Sequence, residues 1–199
     1  MVGGDTMACW FRAVGPSSLR GAKVTAALSQ GGWDTGPGCT VALTDSLALT
    51  ADGQNARCLA PFRGHPESAT AGTLTIDATI GFSGTPTRFG LACVDGTDLT
   101  SGYYVGVGPD GSIALEKQSG TARTPLGTGK PKRQAKLANP VDVHLRCEIG
   151  TDGVDVTATA GSATVHAADV TQPVRRISAR LFADAPTAAT VTAFAATLA

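Results

Sequence analysis

The sequence predicts an all-β protein built as a two-sheet antiparallel β-sandwich. The main observation is a period of two in the apolar residues, which is clearest in Thr73–Ile80 and Val141–Ile149. Because successive side chains of a strand point to opposite faces, these segments are expected to be strands with one buried and one wet face. About ten or more short segments of this kind follow one another at intervals of roughly 8–12 residues, which is typical of a sandwich or barrel.

The other expected strands are Cys39–Leu43, Ser46–Ala51, Arg57–Pro61, Arg88–Val94, Gly102–Gly108, Ser112–Gln118, Val154–Ala160, Ala163–Ala167, Arg176–Ala183 and Ala189–Leu198. Between two of them, Gly108–Gly111 reads Gly-Pro-Asp-Gly and predicts a tight hairpin, because proline presets one backbone angle and glycine tolerates positive φ. Alanine in Ala188–Ala199 suits a helix, but Val191 and Thr192 favour a strand. We interpret the lysine-rich stretch Gln118–Asn139 as a long exposed loop.

Length and composition favour one globular domain. The chain has 199 residues, of which 42% are hydrophobic and 16% charged, and its formal net charge is zero. We expect an irregular N-terminal arm over residues 1–20 and a single β-sandwich over residues 21–199. A neutral chain has no general attraction for nucleic acid or anionic lipid, and no apolar run reaches the roughly 18 residues that span a bilayer. Neither nucleic-acid binding nor membrane insertion is therefore expected, and the oligomeric state is left open.

The start of the sequence shows no charged segment and apolar run after Met1, so no signal peptide is visible. Two locations remain open. The protein is extracytoplasmic or secreted if the start is trimmed, and it is cytoplasmic if Met1 is native.

The five cysteines form no CxxC motif, and their positions on the expected strands suggest pairs. Cys93 and Cys147 each continue an inward-facing apolar set, so we expect them to meet. We expect Cys39 to meet Cys58 on weaker grounds, with Cys9 left free. In an oxidising compartment the pairs would be disulfides, and in a cytosol they would be buried thiols that pack as small apolar residues.

A catalytic constellation is not visible. The sequence contains no G-x-S-x-G elbow, no H-E-x-x-H motif and no P-loop. Hydrolysis of glycosides requires two carboxylates that flank the scissile bond, whereas the glutamates of this chain are isolated: Glu67, Glu116 and Glu148. The three histidines lie far apart in sequence and are expected at the surface. These observations favour a protein that is not an enzyme.

Adjacent tyrosines provide the candidate binding surface. Because they are neighbours on a strand, Tyr103 and Tyr104 point to opposite faces. Tyr103 shares its face with valines and is expected in the core, whereas Tyr104 shares an open surface with Gly106 and Gly108. Exposed aromatic rings stack on the apolar faces of sugars. The alternative is that Tyr104 packs over those glycines. The predicted ligand-binding set is Tyr104, Arg88, Trp33, Glu116 and Lys117.

Two further patterns are weaker. Asp95-Gly96-Thr97-Asp98 would hold a calcium ion through the carboxylates of Asp95 and Asp98, although an ordinary turn explains the same residues. No other cofactor or metal is expected. The basic residues between Lys130 and Lys136 would contact an anionic partner, or they form a solvated loop.

Five segments of the sequence belong together as one pattern: Arg88–Cys93, Gly102–Val107, Pro109–Lys117, Leu145–Glu148 and Ala179–Ala183. This pattern resembles the centre of laminin G-like, concanavalin A-like jelly-roll domains. The likeness is closest to bacterial extracytoplasmic examples, including those appended to actinobacterial membrane proteins. It covers roughly Gly72 to the C-terminus, with a weaker start at Trp33–Cys39.

The resemblance implies a jelly-roll fold but not one function, because this fold hosts lectins, adhesion modules, glycosidases and accessory domains. Glucanases of the family carry an E-x-D-x-x-E run on one strand, and this sequence has none. The favoured function is a non-catalytic binding module for a glycan, a cell-wall polymer or a protein partner. Two alternatives are a jelly-roll cyclase or isomerase of specialised metabolism that uses a single buried carboxylic acid, and a structural or assembly subunit.

Overall fold

We describe the protein from a computed structural model. The described residues are 10–11, 23–25, 33–34, 39–43, 47–51, 57–61, 72–95, 101–132, 137–171, 177–184 and 186–199. They form sixteen strands: β1 Trp10–Phe11, β2 Lys23–Thr25, β3 Trp33–Asp34, β4 Cys39–Leu43, β5 Leu47–Ala51, β6 Arg57–Pro61, β7 Gly72–Ser83, β8 Arg88–Asp95, β9 Gly102–Val107, β10 Ile113–Ser119, β11 Ala122–Gly129, β12 Val141–Ile149, β13 Val154–Ala160, β14 Ala163–Asp169, β15 Ile177–Asp184 and β16 Thr187–Leu198.

The strands form two large antiparallel sheets, which confirms the predicted all-β sandwich. One sheet has six strands in the order β11-β10-β9-β8-β15-β6. The other has eight, in the order β14-β13-β12-β7-β16-β5-β4, with β2 paired to β16. In the segment expected to be an irregular arm, β1 pairs with β3 in a separate two-stranded sheet. No helix among the described residues is long and apolar enough to cross a membrane.

The core lies between the two sheets and is built by the alternation seen in the sequence. On β7 and β12 the apolar residues face inward, while Asp77, Asp142 and Arg146 are exposed on the opposite face. The register of these strands is therefore confirmed, because a slip by one residue would reverse the two faces. The predicted core residues with described side chains are all buried: Leu74, Ile76, Ile80, Leu91, Val105, Val107, Ile113, Leu115, Val143, Leu145, Val154, Val156, Leu181 and Val191. The side chain of Ile177 lies outside the described residues.

Strand β11 corrects the interpretation of Gln118–Asn139 as one long loop. It pairs with β10 at the edge of the six-stranded sheet, and the side chains of its residues 122–125 are exposed. An edge strand with few apolar residues shows no alternation, so the sequence pattern did not reveal it. Its end packs closely on the other sheet, since a Cβ at Gly129 would lie 2.2 Å from the backbone oxygen of Thr164. The two sheets therefore meet along this side of the sandwich.

The hairpin between β9 and β10 forms at the predicted turn. The backbone N–H of Gly111 donates to the carbonyl oxygen of Gly108 at 3.0 Å, and Gly111 has a φ of 75°. This left-handed conformation favours glycine. The carboxylate of Asp110 accepts from the N–H and the hydroxyl of Ser112, and these bonds lower the pKa of Asp110. Turn and side chain together fix the register of the hairpin.

Candidate functional site

The outer face of the six-stranded sheet is buried. We call it the covered face; its central row runs across four strands through Glu116, Tyr104, Ala92 and Arg180. All four side chains are buried, and the guanidinium-bearing side chain of Arg180 has no exposed surface. A second small apolar cluster lies on this face and consists of Ala92, Val94, Tyr104 and Phe182. In the described part of the chain, the side chains of this central row are therefore not exposed to a ligand.

The expectation of an open surface around Tyr104 is wrong. Tyr104 is 0% exposed, and its ring meets that of Phe182 edge-on, with 5.5 Å between the ring centroids and an interplanar angle of 72°. Such a contact is typical of packed aromatic pairs. A ligand role for Tyr104 stays a prediction and would require the ring to become exposed. The side chain of Trp33 lies outside the described residues, so its predicted role also stays a prediction.

Arg88 and Glu116 belong to an ion-pair network at the edge of the covered face. The Arg88 guanidinium donates through Nη1 to Glu116 at 2.9 Å and through Nε to Asp184 at 2.8 Å. The stem of Arg88 lies over Gly106, where a Cβ would come within 2.3 Å of Arg88 Cδ. This network ties together β8, β10 and β15, so both predicted ligand-binding residues already have protein partners.

Lys117 points away from Tyr104, into a second polar cluster between the sheets. Its ammonium lies 2.6 Å from Asp169 Oδ2, and the Tyr103 hydroxyl donates to the same oxygen at 3.1 Å. Lys117 and Tyr103 are neighbours on the six-stranded sheet, whereas Asp169 ends β14 of the eight-stranded sheet. The Lys117 ammonium also donates to the backbone oxygen of Thr171 at 2.6 Å. The cluster is a polar link between the two sheets.

The charges of this link set its pKa values. Burial would raise the pKa of Asp169, but hydrogen bonds from Lys117, Thr171 and Tyr103 lower it to about 2. Burial, together with the negative charge of Asp169, raises the pKa of Tyr103 far above its ordinary value. Tyr103 is therefore a phenol that donates, and Asp169 is a carboxylate that accepts.

The outer face of the eight-stranded sheet is open by contrast. We call it the open face, and it carries the outward residues of β7, β12, β13 and β16. The side chains of Asp77 and His144 are 56% and 38% exposed, and they pair at 2.7 Å between Oδ1 and Nδ1. The hydroxyl of Thr79 donates to Asp142 Oδ1 at 2.7 Å. These two pairs lie side by side because His144 is opposite Asp77 and Asp142 is opposite Thr79 in the ladder.

A depression of about 530 Å³ lies over these pairs and extends to β16 on one side and to the end of β13 on the other. Ala193 and Ala195 form one side, and Thr159 and Gly161 form the other. A register shift between Val191 and Ala193 interrupts the ladder here. The depression thus has an apolar side and a row of hydrogen-bonding groups.

The lining of the depression can accept more hydrogen bonds than its own residues donate. An ionised carboxylate has about four lone-pair sites, and the pairs described above use one oxygen of Asp77 and one of Asp142. No arginine or lysine lies on the described lining, so its fixed charge is negative.

A second depression, of about 480 Å³, lies beside the turn at Gly150–Gly153. Its lining includes Asp152, Asp155 and Asp169. Asp155 pairs with His166 at 2.9 Å, and Asp169 belongs to the link between the sheets. Two of these carboxylates, those of Asp155 and Asp169, therefore already have partners within the protein.

The calcium site predicted at Asp95 and Asp98 is not tested by the structure. Asp95 is buried, its N–H donates to the carbonyl oxygen of Ser101 at 2.8 Å, and Asp98 lies outside the described residues. Among the described side chains, no group of three or more aspartate, glutamate, histidine or cysteine residues is placed to hold a metal ion.

The structure brings Cys93 and Cys147 together in the core. Both are fully buried free thiols, and burial, together with the neighbouring Cys93, raises the pKa of Cys147. Cys39 lies in β4 and Cys58 in β6, in different sheets, and their side chains are outside the described residues, as is Cys9. All the disulfides stay predictions.

Comparison with known proteins supports the fold. No family model and no curated protein matches the sequence. Among solved structures, the chain is similar to a carbohydrate-binding module, CBM66 from Bacillus subtilis, with 15% identity and a TM-score of 0.51 over 91% of this chain and 95% of that one. It is also similar to a protein of unknown function with a galectin-like fold from Bacillus subtilis, with 13% identity, a TM-score of 0.54 and 97% coverage of both chains.

The carbohydrate recognition domain of Emp46p, in its potassium-bound form, shares 15% identity and a TM-score of 0.53 over 80% of this chain and 86% of that one. Identities this low establish a common fold and nothing finer. The chain therefore shares the two-sheet antiparallel β-sandwich fold of these structures.

The open-face residues were not singled out by sequence reasoning. The signal was present, because Asp77, Thr79, Asp142 and His144 are the polar half of the two clearest alternating segments. The alternating pattern does not reveal that β7 pairs with β12, because this pairing joins residues more than 60 positions apart in the sequence.

Proposed function

We propose that this protein is a non-catalytic glycan-binding module that holds its ligand in the depression of the open face. The observation that carries the proposal is the contrast between the two outer faces. The face around Tyr104 is closed, whereas the open face combines a depression with the carboxylates of Asp77 and Asp142. Two of the structural neighbours are carbohydrate-binding domains by name, which supports the same class of ligand.

The proposed contacts follow from the lining. Sugar hydroxyls donate to Asp77 and Asp142, and the hydroxyl of Thr159 donates to or accepts from a ring substituent. The apolar C–H face of the sugar rests against Ala193 and Ala195. The volume of about 530 Å³ falls within the range of roughly 300–1,000 Å³ that is usual for small-ligand sites.

The test compares two aspartates that differ only in where they lie. Asp77 and Asp155 are equally exposed, at 56% and 55%, and each pairs with a histidine on the same sheet. Only Asp77 lines the depression. We would screen an array of neutral, amino and acidic oligosaccharides and then measure affinity by calorimetry. We expect Asp77→Asn to weaken binding at least tenfold, since a lost charged hydrogen bond costs about 1.5–3 kcal/mol.

Asp155→Asn is the control and should leave both affinity and melting temperature close to those of the wild type. Equal losses in the two variants, or no glycan retained on the array, would rule out this site. A third outcome is possible: Tyr104→Ala abolishes binding in a folded protein, whereas Asp77→Asn leaves the affinity unchanged. That result would place the binding site on the covered face.

The carboxylates of the chain support a binding role over catalysis. Glu116 is held by Arg88, and Glu148 accepts two bonds from Arg146 at 2.7 and 2.6 Å. A carboxyl held in this way is a structural ion pair rather than a free acid. We propose that no glycoside is hydrolysed, which an assay for reducing sugars on common polysaccharides would check. A structural subunit would be favoured by an extensive apolar patch on the surface. Among the large apolar side chains that the structure describes, only that of Val170 is exposed.

Three finer points stay proposals of the same kind. They are a laminin G-like kinship with actinobacterial proteins, an extracytoplasmic location, and a calcium ion at Asp95 and Asp98. A calcium titration followed by calorimetry would test the last of these, and a heat signal lost in Asp98→Asn would support it.

A further inference from the structure

Cys93 and Cys147 approach each other from opposite sheets. Cys93 lies on β8, between Tyr103 of β9 and Ala179 of β15, and Cys147 lies on β12, between Leu74 of β7 and Val156 of β13. Neither side chain has exposed surface, and both belong to one core cluster.

The geometry around the two thiols is suited to a bond between them. The two thiols are neighbours in the core, since Cys93 contributes to the raised pKa of Cys147. The strands that carry them, β8 and β12, contain Cα atoms within 8 Å of each other across the sandwich, and a disulfide requires about 4.4–6.8 Å between the Cα atoms of its two cysteines.

We propose that Cys93 and Cys147 form a disulfide that joins the two sheets when the chain folds in the presence of a disulfide oxidant. The two thiols lose two protons and two electrons as the S–S bond forms. The oxidant is a small or protein disulfide, which takes up the electrons and is released as two thiols. This proposal is independent of glycan binding.

The burial of the two thiols implies an order of events in folding. Attack on an oxidant requires a thiolate and access to it. Burial raises the pKa of Cys147, and neither thiol is accessible once the sheets have closed. Tyr103, which is fully buried and held by Asp169, lies directly beside Cys93 in the ladder. The bond therefore forms before the core closes, and the folded, reduced protein oxidises slowly.

The wild-type chain suffices for the test, because trypsin separates its five cysteines into five peptides. The chain is refolded from denaturant in a buffer of reduced and oxidised glutathione, alkylated and digested. We expect the peptides 89–117 and 147–175 to appear as one cross-linked species that reduction separates. Alkylation of both cysteines in the majority of molecules, or a dominant link from either one to another cysteine, would overturn the proposal.

Two further measurements use the same material. The oxidised protein should melt about 10 °C above the reduced protein, because a loop of this length restricts the unfolded chain. The difference should vanish in Cys93→Ala and in Cys147→Ala, if these fold. The folded, reduced protein should gain the bond at least about tenfold more slowly than the unfolded chain. Equal melting temperatures of the oxidised and reduced proteins would contradict a bond that joins the two sheets. Equal rates of oxidation for the folded and unfolded chains would contradict formation of the bond before the core closes.

Discussion

Gly106→Ala is the substitution whose effect the structure specifies most closely. Gly106 is in the middle of β9 and has no positive φ, so alanine fits its backbone. The added Cβ would lie 2.3 Å from Cδ and 2.5 Å from Cγ of Arg88. These atoms are in the middle of the Arg88 side chain, so the whole side chain has to leave. The ion pairs that join β8, β10 and β15 leave with it.

The magnitude follows from the lost contacts. Arg88 makes hydrogen bonds of 2.8 Å to Asp184 and of 2.9 and 3.4 Å to Glu116. Bonds to charged groups contribute about 1.5–3 kcal/mol each, and the weaker, partly exposed ones contribute less. Replacing glycine recovers about 0.5–1 kcal/mol of backbone entropy. We expect a net loss of about 3 kcal/mol in the free energy of unfolding, measured by urea titration with circular dichroism.

A double-mutant cycle isolates the cause. In an Arg88→Ala background the space over residue 106 is free, so Gly106→Ala should then cost close to nothing. Gly150→Ala is the matched control, because its Cβ would lie 3.7 Å from the nearest atom, an ordinary contact. The reasoning fails if Gly106→Ala costs the same free energy with and without Arg88.

The remaining predictions concern the link between the sheets and the covered face. The pKa of Asp169 is lowered from 3.8 to about 2, so its ionised form stabilises the fold above about pH 4, and this contribution is lost as the pH falls towards 2. Asp169→Asn should remove about 2 kcal/mol at neutral pH and flatten the stability profile between pH 2 and 4; an unchanged slope would contradict it. Tyr103→Phe should cost about 1–2 kcal/mol by leaving a half-buried carboxylate with one donor fewer, seen as a lower urea midpoint. Tyr104→Ala should cost about 3–5 kcal/mol because the ring is fully buried, and a nearly unchanged melting temperature would restore its candidacy as a ligand contact.

Local pattern determined a large part of this protein. The alternation in Thr73–Ile80 and Val141–Ile149 sets which side chains are buried, since a strand has only two faces and one of them has to meet the core. The Gly108–Gly111 turn was equally readable, because proline and glycine constrain the backbone within four residues. The same reasoning failed for β11, where an exposed edge strand leaves no apolar signature.

Tertiary structure decided whether the outer face of each sheet is covered or exposed. Tyr104 and Asp77 are both on the outward half of an alternating strand, yet one is sealed and the other is open. The alternation alone does not distinguish the two positions, because burial of an outward face depends on which distant segments pack against it. The pairing of β7 with β12 likewise joins Asp77 to His144 across 67 positions of sequence. A sequence period of two determines to which face of its strand each side chain points. Only the arrangement of the whole sheets determines what that side chain contacts.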